Sequence, residues 1–592
     1  MNDLISNNID VNNNNVNGNC NINIGRKKDK IHAYFTVKID DGESKLHCNI
    51  KNCERTFSIK TSTSNLKLHI SNEHKDEWNL YEENKKNTKF EKKTIIDNST
   101  DPNEQNESSL MAIAFAKNSL PYTLIENEFF MNALISVKNS KNLENLKITK
   151  NKMRDLILNE GNKICEKIIN KLAISKQPVT MAIDGWTNVR SNKVTNILLI
   201  SCGDVYYYSS IENYNSQNTV DWLVSKLQQK LENLYLKNVN VIGITTDNEN
   251  LMVAVRKNLQ KIFPILIDLP CSAHIIQLCL KEICTIELIS ELIKNINDIV
   301  YMVKTIKLYS TKLYDLQLKD NIKIPLTVIR PADTRWSSLI LCIERLITLK
   351  KYIKNIEPKY DDIFWNKMIS LYTFIEPFKE YTNEIQKDDA TLYTVWLIFK
   401  KLEIHFKSDN IPNEYKLISN EIIDLFEYKW NKHININIIN ISRLFSFDYS
   451  AEINVNSINF IETWGSQYVT IFNLVPNLNI NNAKNILSLQ LAEFLSKQNQ
   501  FSYIDNYVAT FKQTCINNPS TLYSPKYIWG KYIFSHTILA KVAIAILSLC
   551  PSEACVERSF SMQTDVHSLD RNRLSNNSVE AEMHVKWNYS KI

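Results

Sequence analysis

Glycine and proline are scarce in this sequence of 592 residues, with 9 and 14 copies respectively. Such a composition excludes collagen-like and glycine-rich architectures and favours helices over turn-rich β structure. Long apolar runs are also missing. The longest, at residues 538–550, is interrupted by Lys541 and is shorter than the about 20 residues that a membrane span requires. The polar N-terminus has no apolar stretch behind a basic start, so we expect neither a signal peptide nor a membrane partner.

The charge of the chain is nearly balanced, since 70 Lys and Arg residues against 64 Asp and Glu residues leave a net charge of +6. This balance permits a nucleic-acid partner without arguing for one. The 12 cysteines are scattered, which favours free thiols or metal ligands over disulfides in a chain without a secretion signal. Apolar residues make up 44% of the sequence, enough for several buried cores, so we expect several domains in a cytosolic or nuclear protein.

The N-terminal third of the chain divides into four segments that differ in amino-acid composition. Residues 1–29 are rich in asparagine and are predicted to form a disordered tail. The basic cluster at residues 26–30 is either a nuclear signal or solvated linker charge. Residues 30–80 are expected to form a compact unit and residues 81–108 a polar linker, followed by helical apolar spacing over residues 109–175.

The rest of the chain changes from mixed structure to mostly helix. Residues 176–272 contain short β-rich runs, among them a hairpin signal at Gly203-Asp204, and strand–helix alternation follows. This order predicts a mixed sheet covered by helices. Residues 273–537 have a helical pattern with few strand candidates, and residues 538–592 are expected to supply the last helices.

Four potential zinc ligands occur in the compact unit near the N-terminus. Cys48, Cys53, His69 and His74 have the spacing C-x4-C-x15-H-x4-H, and both histidines belong to a predicted helix. Two thiolates and two imidazoles supply the four tetrahedral ligands that structural zinc prefers. A unit of this size has too small a core to be stable alone, so we expect zinc binding to be coupled to its folding.

The start of the predicted finger helix is polar. Ser64, Asn65 and Lys67 would face DNA if this surface binds nucleic acid, or else form a solvated face. Together with Tyr34-Phe35, the Cys pair and the two histidines, this stretch resembles a BED-type zinc finger. The resemblance implies that the finger helix contacts double-stranded DNA.

Three acidic residues are candidates for a second metal site. Asp184, in MAIDGWTN, and Asp247, in VIGITTDNEN, are each predicted to end a strand. Glu557, in PSEACVERSFS, follows a helix start for which Ser552 is the predicted N-cap. If the strands are neighbours and the helix packs beside them, three carboxylates could bind two Mg²⁺ ions for phosphoryl transfer. Taken singly, each acid is better interpreted as a capping or surface residue, and the sequence alone does not show that Glu557 joins the other two.

Six short motifs occur in one order along the chain: IDGWT, TTDNENLM, LPCSAHIIQL, DTRWSS, PSEACVERSFS and RNRL. They closely resemble the successive motifs of hAT-superfamily DNA transposases, and the stretch LPYTLIENEFF at residues 120–130 is also similar to that family. The resemblance implies an α+β multidomain protein. It would have a small ββα-type zinc finger, then an RNase H-like mixed α/β catalytic core interrupted by a large all-α insertion.

The same resemblance implies roles for named residues. Asp184, Asp247 and Glu557 match the family's catalytic triad, which binds Mg²⁺ or Mn²⁺. The residue matching Trp336, beside Arg335, stacks on a flipped DNA base in the family, although core packing is the alternative here. Cys271 and His274 match a further pair, for which we expect a structural or DNA-positioning role rather than metal binding. The segment after residue 537 includes the family's dimerisation region, which implies a homodimer or higher oligomer.

These observations lead to three functional hypotheses for a nuclear protein. The first is a DNA transposase of hAT type, which would cleave and transfer DNA strands with divalent metal ions. The second is a domesticated, transposase-derived regulator that binds DNA and dimerises without catalysis. The third is an RNase H-like nuclease acting on RNA or on RNA–DNA hybrids, against which the BED-like finger counts.

Overall fold

The computed structural model describes residues 34–40, 43–50, 53–58, 61, 63–79, 81, 124, 126–139, 150–213, 219–331, 337–517, 524–568 and 573–592. The predicted disordered tail, nearly all of the predicted linker, and the Arg335-Trp336 pair lie outside these residues. The chain divides into two compact units, Met1–Glu144 and Asn145–Ile592.

The first unit contains a three-stranded antiparallel sheet with one helix after it. Strands β1 (Phe35–Asp40), β2 (Glu43–Cys48) and β3 (Thr56–Ser58) lie in that order, and helix α1 (Thr63–Glu73) follows. The expected ββα unit therefore has a third strand, which is too short for its alternation to be visible in the sequence. A second helix of this unit, α2, spans Glu128–Asn139.

Strands β1–β3 and helix α1 enclose a small apolar core. Phe35, Leu46, Leu66 and Ile70 are all buried, and the ring of Phe57 meets that of Phe35 edge to face at 5.8 Å. Leu46 and Phe57 are partners in the pairing of β2 with β3. Because so few side chains are buried, this core is consistent with a fold that depends on a metal.

A mixed five-stranded sheet forms the centre of the second unit. Its strands in chain order are β4 (Val179–Thr187), β5 (Lys193–Ser201), β6 (Asp204–Asn213), β7 (Val241–Thr246) and β8 (Ile267–Pro270). The spatial order is β6-β5-β4-β7-β8. The first three strands form an antiparallel meander, whereas β7 and β8 run parallel to β4. The predicted hairpin and mixed sheet are therefore present.

Helices connect the parallel strands and continue for most of the remaining chain. In chain order they are α3 (Lys150–Ser175), α4 (Val220–Leu236), α5 (Asn250–Ile262), α6 (Ser272–Ile283), α7 (Glu287–Thr305), α8 (Lys307–Lys319), α9 (Ser337–Ile356), α10 (Asp362–Ile385), α11 (Leu392–Lys407), α12 (Asn413–Lys416), α13 (Ser419–His433), α14 (Ile436–Phe445), α15 (Val455–Ile471), α16 (Ile480–Ser496), α17 (Ile504–Asn517), α18 (Pro525–Lys531), α19 (Ile538–Leu547), α20 (Ala554–Val566) and α21 (Asn576–Met583). A π-helical turn, His584–Asn588, follows α21. Among these described helices, none combines the length and apolar character needed to cross a membrane.

The sheet is buried on both faces, and the two faces are covered by different parts of the chain. Met181 and Ile183 of β4 pack in a core with residues of α3, α4 and α5, whereas Ala182 packs in a separate core with Val556 and Met583. Alternate residues of a strand point to opposite faces, which explains this division. The C-terminal helices α20 and α21 therefore lie on a sheet formed more than 300 residues earlier in the chain.

Candidate metal centre and acidic cluster

The four predicted zinc ligands meet in the first unit. Cys48 ends β2, Cys53 lies in the turn before β3, His69 lies on α1, and His74 follows the last residue of that helix. Their ligand atoms all lie within 4.8 Å of one another. The Sγ–Nε2 distances are 3.7 Å for Cys48–His74 and 3.5 Å for Cys53–His69. Tetrahedral zinc, with bonds of about 2.3 Å to sulfur and about 2.0 Å to nitrogen, requires S···N separations of about 3.6 Å. The cluster therefore fits zinc.

The surroundings of this Cys/His cluster also fit a bound zinc ion. Burial raises the pKa of Cys48 to about 11, and burial also lowers the pKa of His69. A bound cation favours the thiolate and the neutral imidazole, which are the forms that ligate zinc. Glu73 Oε2 lies 3.3 Å from His69 Nδ1, the ring nitrogen away from the cluster, and can orient that ring.

The predicted DNA-contacting residues of the finger lie along the first turn of α1. Asn65 is exposed, and Lys67 is half-buried with its Nζ 5.6 Å from the ring centre of Tyr81. The side chain of Ser64 lies outside the described residues. The DNA-binding role of these three residues remains a prediction.

The three predicted catalytic acids come from three separate elements of the second unit. Asp184 lies within β4 and not at its end, because pairing with β5 continues as far as Thr187. Asp247 directly follows β7, the parallel neighbour of β4, as predicted. Glu557 lies in the first turn of α20, which packs on β4 and β5.

Buried polar contacts hold α20 against the sheet beside Asp184. Asn196 of β5, which is fully buried, donates hydrogen bonds to Ser559 Oγ at 2.9 Å and to Gln563 Oε1 at 2.7 Å. The ring of Trp186, two residues after Asp184, stacks on Phe560 with 5.6 Å between centres. These contacts fix the first turns of α20, and with them Glu557, near the strand that carries Asp184.

The electrostatics of Asp184 show that the acids share one environment. Burial and, to a smaller extent, the charges of Asp247, Glu557 and Glu249 raise the pKa of Asp184 to about 7, against the lowering effect of the Gly185 N–H that donates to Oδ1 at 2.7 Å. Burial and the charge of Glu249 raise the pKa of Asp247. Like charges in a poorly solvated site repel one another, and a divalent cation would relieve that repulsion.

The acidic groups fit a hydrated cation better than a tightly ligated one. Within the part of the chain that the structure describes, the Cys/His cluster alone brings three or more ligand atoms within 4.8 Å of one another. Mg²⁺ keeps several of its waters and needs only one or two direct carboxylates, so wider spacing is compatible with it. That Asp184, Asp247 and Glu557 hold such an ion stays a prediction.

Cys271 and His274 lie beside the acids, at the start of α6. Cys271 is the N-cap of α6, and its Sγ accepts a hydrogen bond from the His274 N–H at 3.4 Å. Burial lowers the pKa of His274, whereas the charges of Asp247, Glu249 and Glu557 raise it. Cys271 therefore caps α6, while the expected structural or DNA-positioning role of the pair stays a prediction.

Two buried residues of this site were missed by sequence reasoning. Arg256 of α5 is 2% exposed and donates to the backbone carbonyl of Asp247 at 2.5 Å. Glu553 is 4% exposed, and burial raises its pKa to about 8. No local pattern marks Arg256. Glu553 could have been found, because it precedes Glu557 by four residues, the spacing that brings two side chains to one helix face.

Part of this unit is similar to a known family model. Residues 148–299 match the family model described as "Domain of unknown function (DUF659)". A protein of Talaromyces stipitatus, with the provisional name transcriptional regulator tpeD, is 22% identical over an alignment of 529 residues. The alignment covers 78% of this chain. The chain spans 60% of the length of that relative. The matched stretch includes α3, all five strands and both Asp184 and Asp247.

Proposed function

We propose that this chain is a DNA-binding transposase of hAT type, which cleaves and transfers DNA strands with divalent metal ions. The observation that carries the proposal is the shared environment of Asp184, Asp247 and Glu557, where burial and mutual charge raise the pKa of Asp184 to about 7. The DUF659 match points to hAT-like, transposase-related proteins and supports this assignment.

The topology of the second unit supports an RNase H-like core. Counted within the sheet, the strand order is 3-2-1-4-5, with an antiparallel meander of three strands and two parallel strands beside its first. This is the order expected of that fold. The core would then comprise residues 176–272 and 538–592, with residues 273–537 as the helical insertion and the C-terminal segment as the dimerisation region.

The acidic residues would hold Mg²⁺ or Mn²⁺, which activates an attacking oxygen and stabilises the leaving oxygen of a phosphodiester. Asp184 lies on β4 and Asp247 directly follows β7, its parallel neighbour, so the sheet positions the two residues relative to each other. Glu557 comes from a helix that Asn196 holds on the sheet, and its charge acts on Asp184, which supports its inclusion in the site. His274, next to Asp247, is a suitable group to bind a phosphate oxygen or to accept a proton from water.

The finger would supply DNA affinity in the nucleus. Cys48, Cys53, His69 and His74 would hold Zn²⁺ and thereby fix α1, whose first turn carries Asn65 and Lys67. DNA contacts by a finger helix position the protein on the duplex, whereas strand cleavage requires the second unit.

A regulator without catalysis is the second candidate, and the name of the Talaromyces stipitatus relative favours it. Such a protein would bind DNA through the finger and dimerise through its C-terminal segment. The acidic cluster would then be idle. The two candidates make the same prediction for DNA binding and opposite predictions for strand cleavage.

The decisive experiment measures nicking of DNA that carries the gene's flanking sequence, in Mg²⁺ or Mn²⁺. Wild type is compared with Asp184→Asn and with Asp155→Asn, a control that removes an exposed carboxylate of α3. We expect nicking by wild type and by the control, and its loss in Asp184→Asn. Binding without nicking by all three proteins would refute catalysis and leave the regulator.

A further inference from the structure

Glu553 is a buried acid of the cluster for which the sequence motifs assign no role. It precedes α20 as the N-cap residue, yet its side chain makes no capping hydrogen bond. Ser552 takes that place instead, accepting a hydrogen bond from the Ala554 N–H at 3.2 Å. Glu553 Oε2 is buried without a hydrogen-bond partner. Helix capping therefore does not explain this carboxyl.

The neighbours of Glu553 connect it to the predicted cation site. Its carboxyl interacts with the Cys271 thiol through a hydrogen bond and feels the charges of Asp184 and Asp247. The Sγ of Cys271 already accepts from the His274 N–H, so the thiol proton is available to the carboxyl. The Ser272 N–H donates to the Pro551 carbonyl at 2.8 Å, which fixes the starts of α6 and α20 together.

This environment is unfavourable for a carboxyl unless a cation is nearby. A buried, unpartnered carboxylate oxygen loses its hydration without compensation, at a cost of several kcal/mol for a charged group. Arg256, the buried cation beside Asp247, is already paired with Asp268. The side chains that act on the Glu553 carboxyl are Cys271, Asp184 and Asp247, and none of these three is a cation.

We propose that Glu553 is a fourth carboxyl of the divalent-cation site, acting on a water molecule bound to the ion and held in place by Cys271. The inference rests on the proposed function of the acidic cluster. Mg²⁺ keeps several of its water ligands, and hydrogen bonds beyond the direct ligands orient a metal site and strengthen its binding. Glu553 is thus a positioning residue for the cation.

The test measures Mn²⁺ binding to the full-length chain, by the electron paramagnetic resonance signal of free Mn²⁺, without any DNA or activity. We compare wild type with Glu553→Gln and with Glu580→Gln. Glu580 is a matched control because burial also raises its pKa, while its neighbours are Lys230 and Ser209 rather than the acids. We expect Glu553→Gln to bind Mn²⁺ about 10- to 100-fold more weakly and Glu580→Gln to bind as wild type does.

Thermal unfolding without metal separates this role from a merely structural one. If Glu553 serves the cation, Glu553→Gln removes a repulsion and the metal-free protein unfolds at the same or a higher temperature. Cys271→Ser, which keeps a donor beside the carboxyl, should retain more Mn²⁺ affinity than Cys271→Ala. A lower unfolding temperature with unchanged Mn²⁺ affinity in Glu553→Gln would overturn the proposal.

Failure of this inference and failure of the proposed function give different results. If wild type binds Mn²⁺ and Asp184→Asn does not, the acidic site stands, and an unchanged Glu553→Gln defeats only the role of Glu553. If wild type itself binds no Mn²⁺, the metal-dependent function fails and the inference fails with it. Should Glu553→Gln not fold, Glu553→Asp tests the same effect on Mn²⁺ affinity, because it keeps the carboxyl group on a shorter side chain.

Discussion

Arg256 provides a sharp test of how the acidic cluster is positioned. Its guanidinium forms a buried ion pair with Asp268 of β8 and donates to Thr246 and to the carbonyl of Asp247 at the end of β7. Arg256 thus connects β8 with the end of β7, beside the predicted metal ligand Asp247. We expect Arg256→Gln to destabilise the fold and also to loosen the position of Asp247.

The size of the effect follows from the burial of the two partners. The Arg256 side chain is 3% exposed, whereas that of Asp268 is 22% exposed and can be partly solvated once its partner is lost. Breaking a fully buried pair costs about 3–5 kcal/mol, so we expect about 3 kcal/mol for Arg256→Gln. Asp268→Asn keeps an oxygen acceptor and should cost less, about 2 kcal/mol. Because the pair is shared, the double variant should cost about 3–4 kcal/mol rather than the sum.

Urea unfolding of the four proteins measures this coupling, and Mn²⁺ titration of the same proteins measures the effect on the site. We expect Mn²⁺ affinity to fall about tenfold in Arg256→Gln, because Asp247 loses the donor that holds its backbone. Additive unfolding free energies, with a coupling below about 0.5 kcal/mol, would refute the shared pair. Unchanged Mn²⁺ affinity would refute the positioning of Asp247 by Arg256.

Three further predictions test other parts of the chain. His69→Ala should abolish zinc binding, measured by atomic emission, and lower DNA affinity in a gel-shift assay, since structural zinc contributes about 10–16 kcal/mol to folding of such units; unchanged zinc content would contradict the ligand assignment. Gly161→Ala should cost about 1–3 kcal/mol in urea unfolding, because its new Cβ would lie 2.6 Å from the Cα and 2.7 Å from the carbonyl oxygen of Ala581. Ala581→Gly leaves both of these backbone atoms in place, so it should not restore full stability in that variant. Burial lowers the pKa of His584 to about 4, below its value of about 6.5 in the unfolded chain. Because the unfolded chain therefore binds a proton first, the contribution of His584 to the free energy of unfolding is fully present above pH 6.5 and is lost as the pH falls towards 4. The free energy of unfolding should fall by about 3 kcal/mol over this pH range in wild type but not in His584→Asn; parallel pH profiles of the two proteins would contradict this prediction.

Local spacing predicted the features that depend on neighbouring residues. The C-x4-C-x15-H-x4-H pattern predicted the four residues that meet in the first unit, because a helix and a tight turn fix their positions. Thr219 is a typical N-cap residue, and its side chain accepts from the Trp222 N–H at the start of α4. Asp247 follows β7 as expected, since a strand ends where the apolar run ends.

Features that depend on distant parts of the chain could not be read in this way. Asp184 was expected to end its strand, but pairing with Lys193 of β5 extends β4 to Thr187. Ser552 was the expected N-cap of α20, and the helix begins one residue later, with Glu553 in that position. Nothing in the local sequence marks Arg256 as a buried ion-pair partner, because its partner Asp268 belongs to another strand.

The energetics of the acidic cluster favour an occupied cation site over a surface that only binds DNA. Asp184 and Glu553 are buried acids with raised pKa values, and each feels the charge of Asp247. Replacing either by a neutral side chain would remove repulsion, so the arrangement costs stability in the absence of a cation. Local conflicts of this kind are expected at functional sites, where binding compensates for them. DNA binding through the finger gives no such compensation, because it does not require acids in the second unit, and for this reason we favour the catalytic proposal over the regulator.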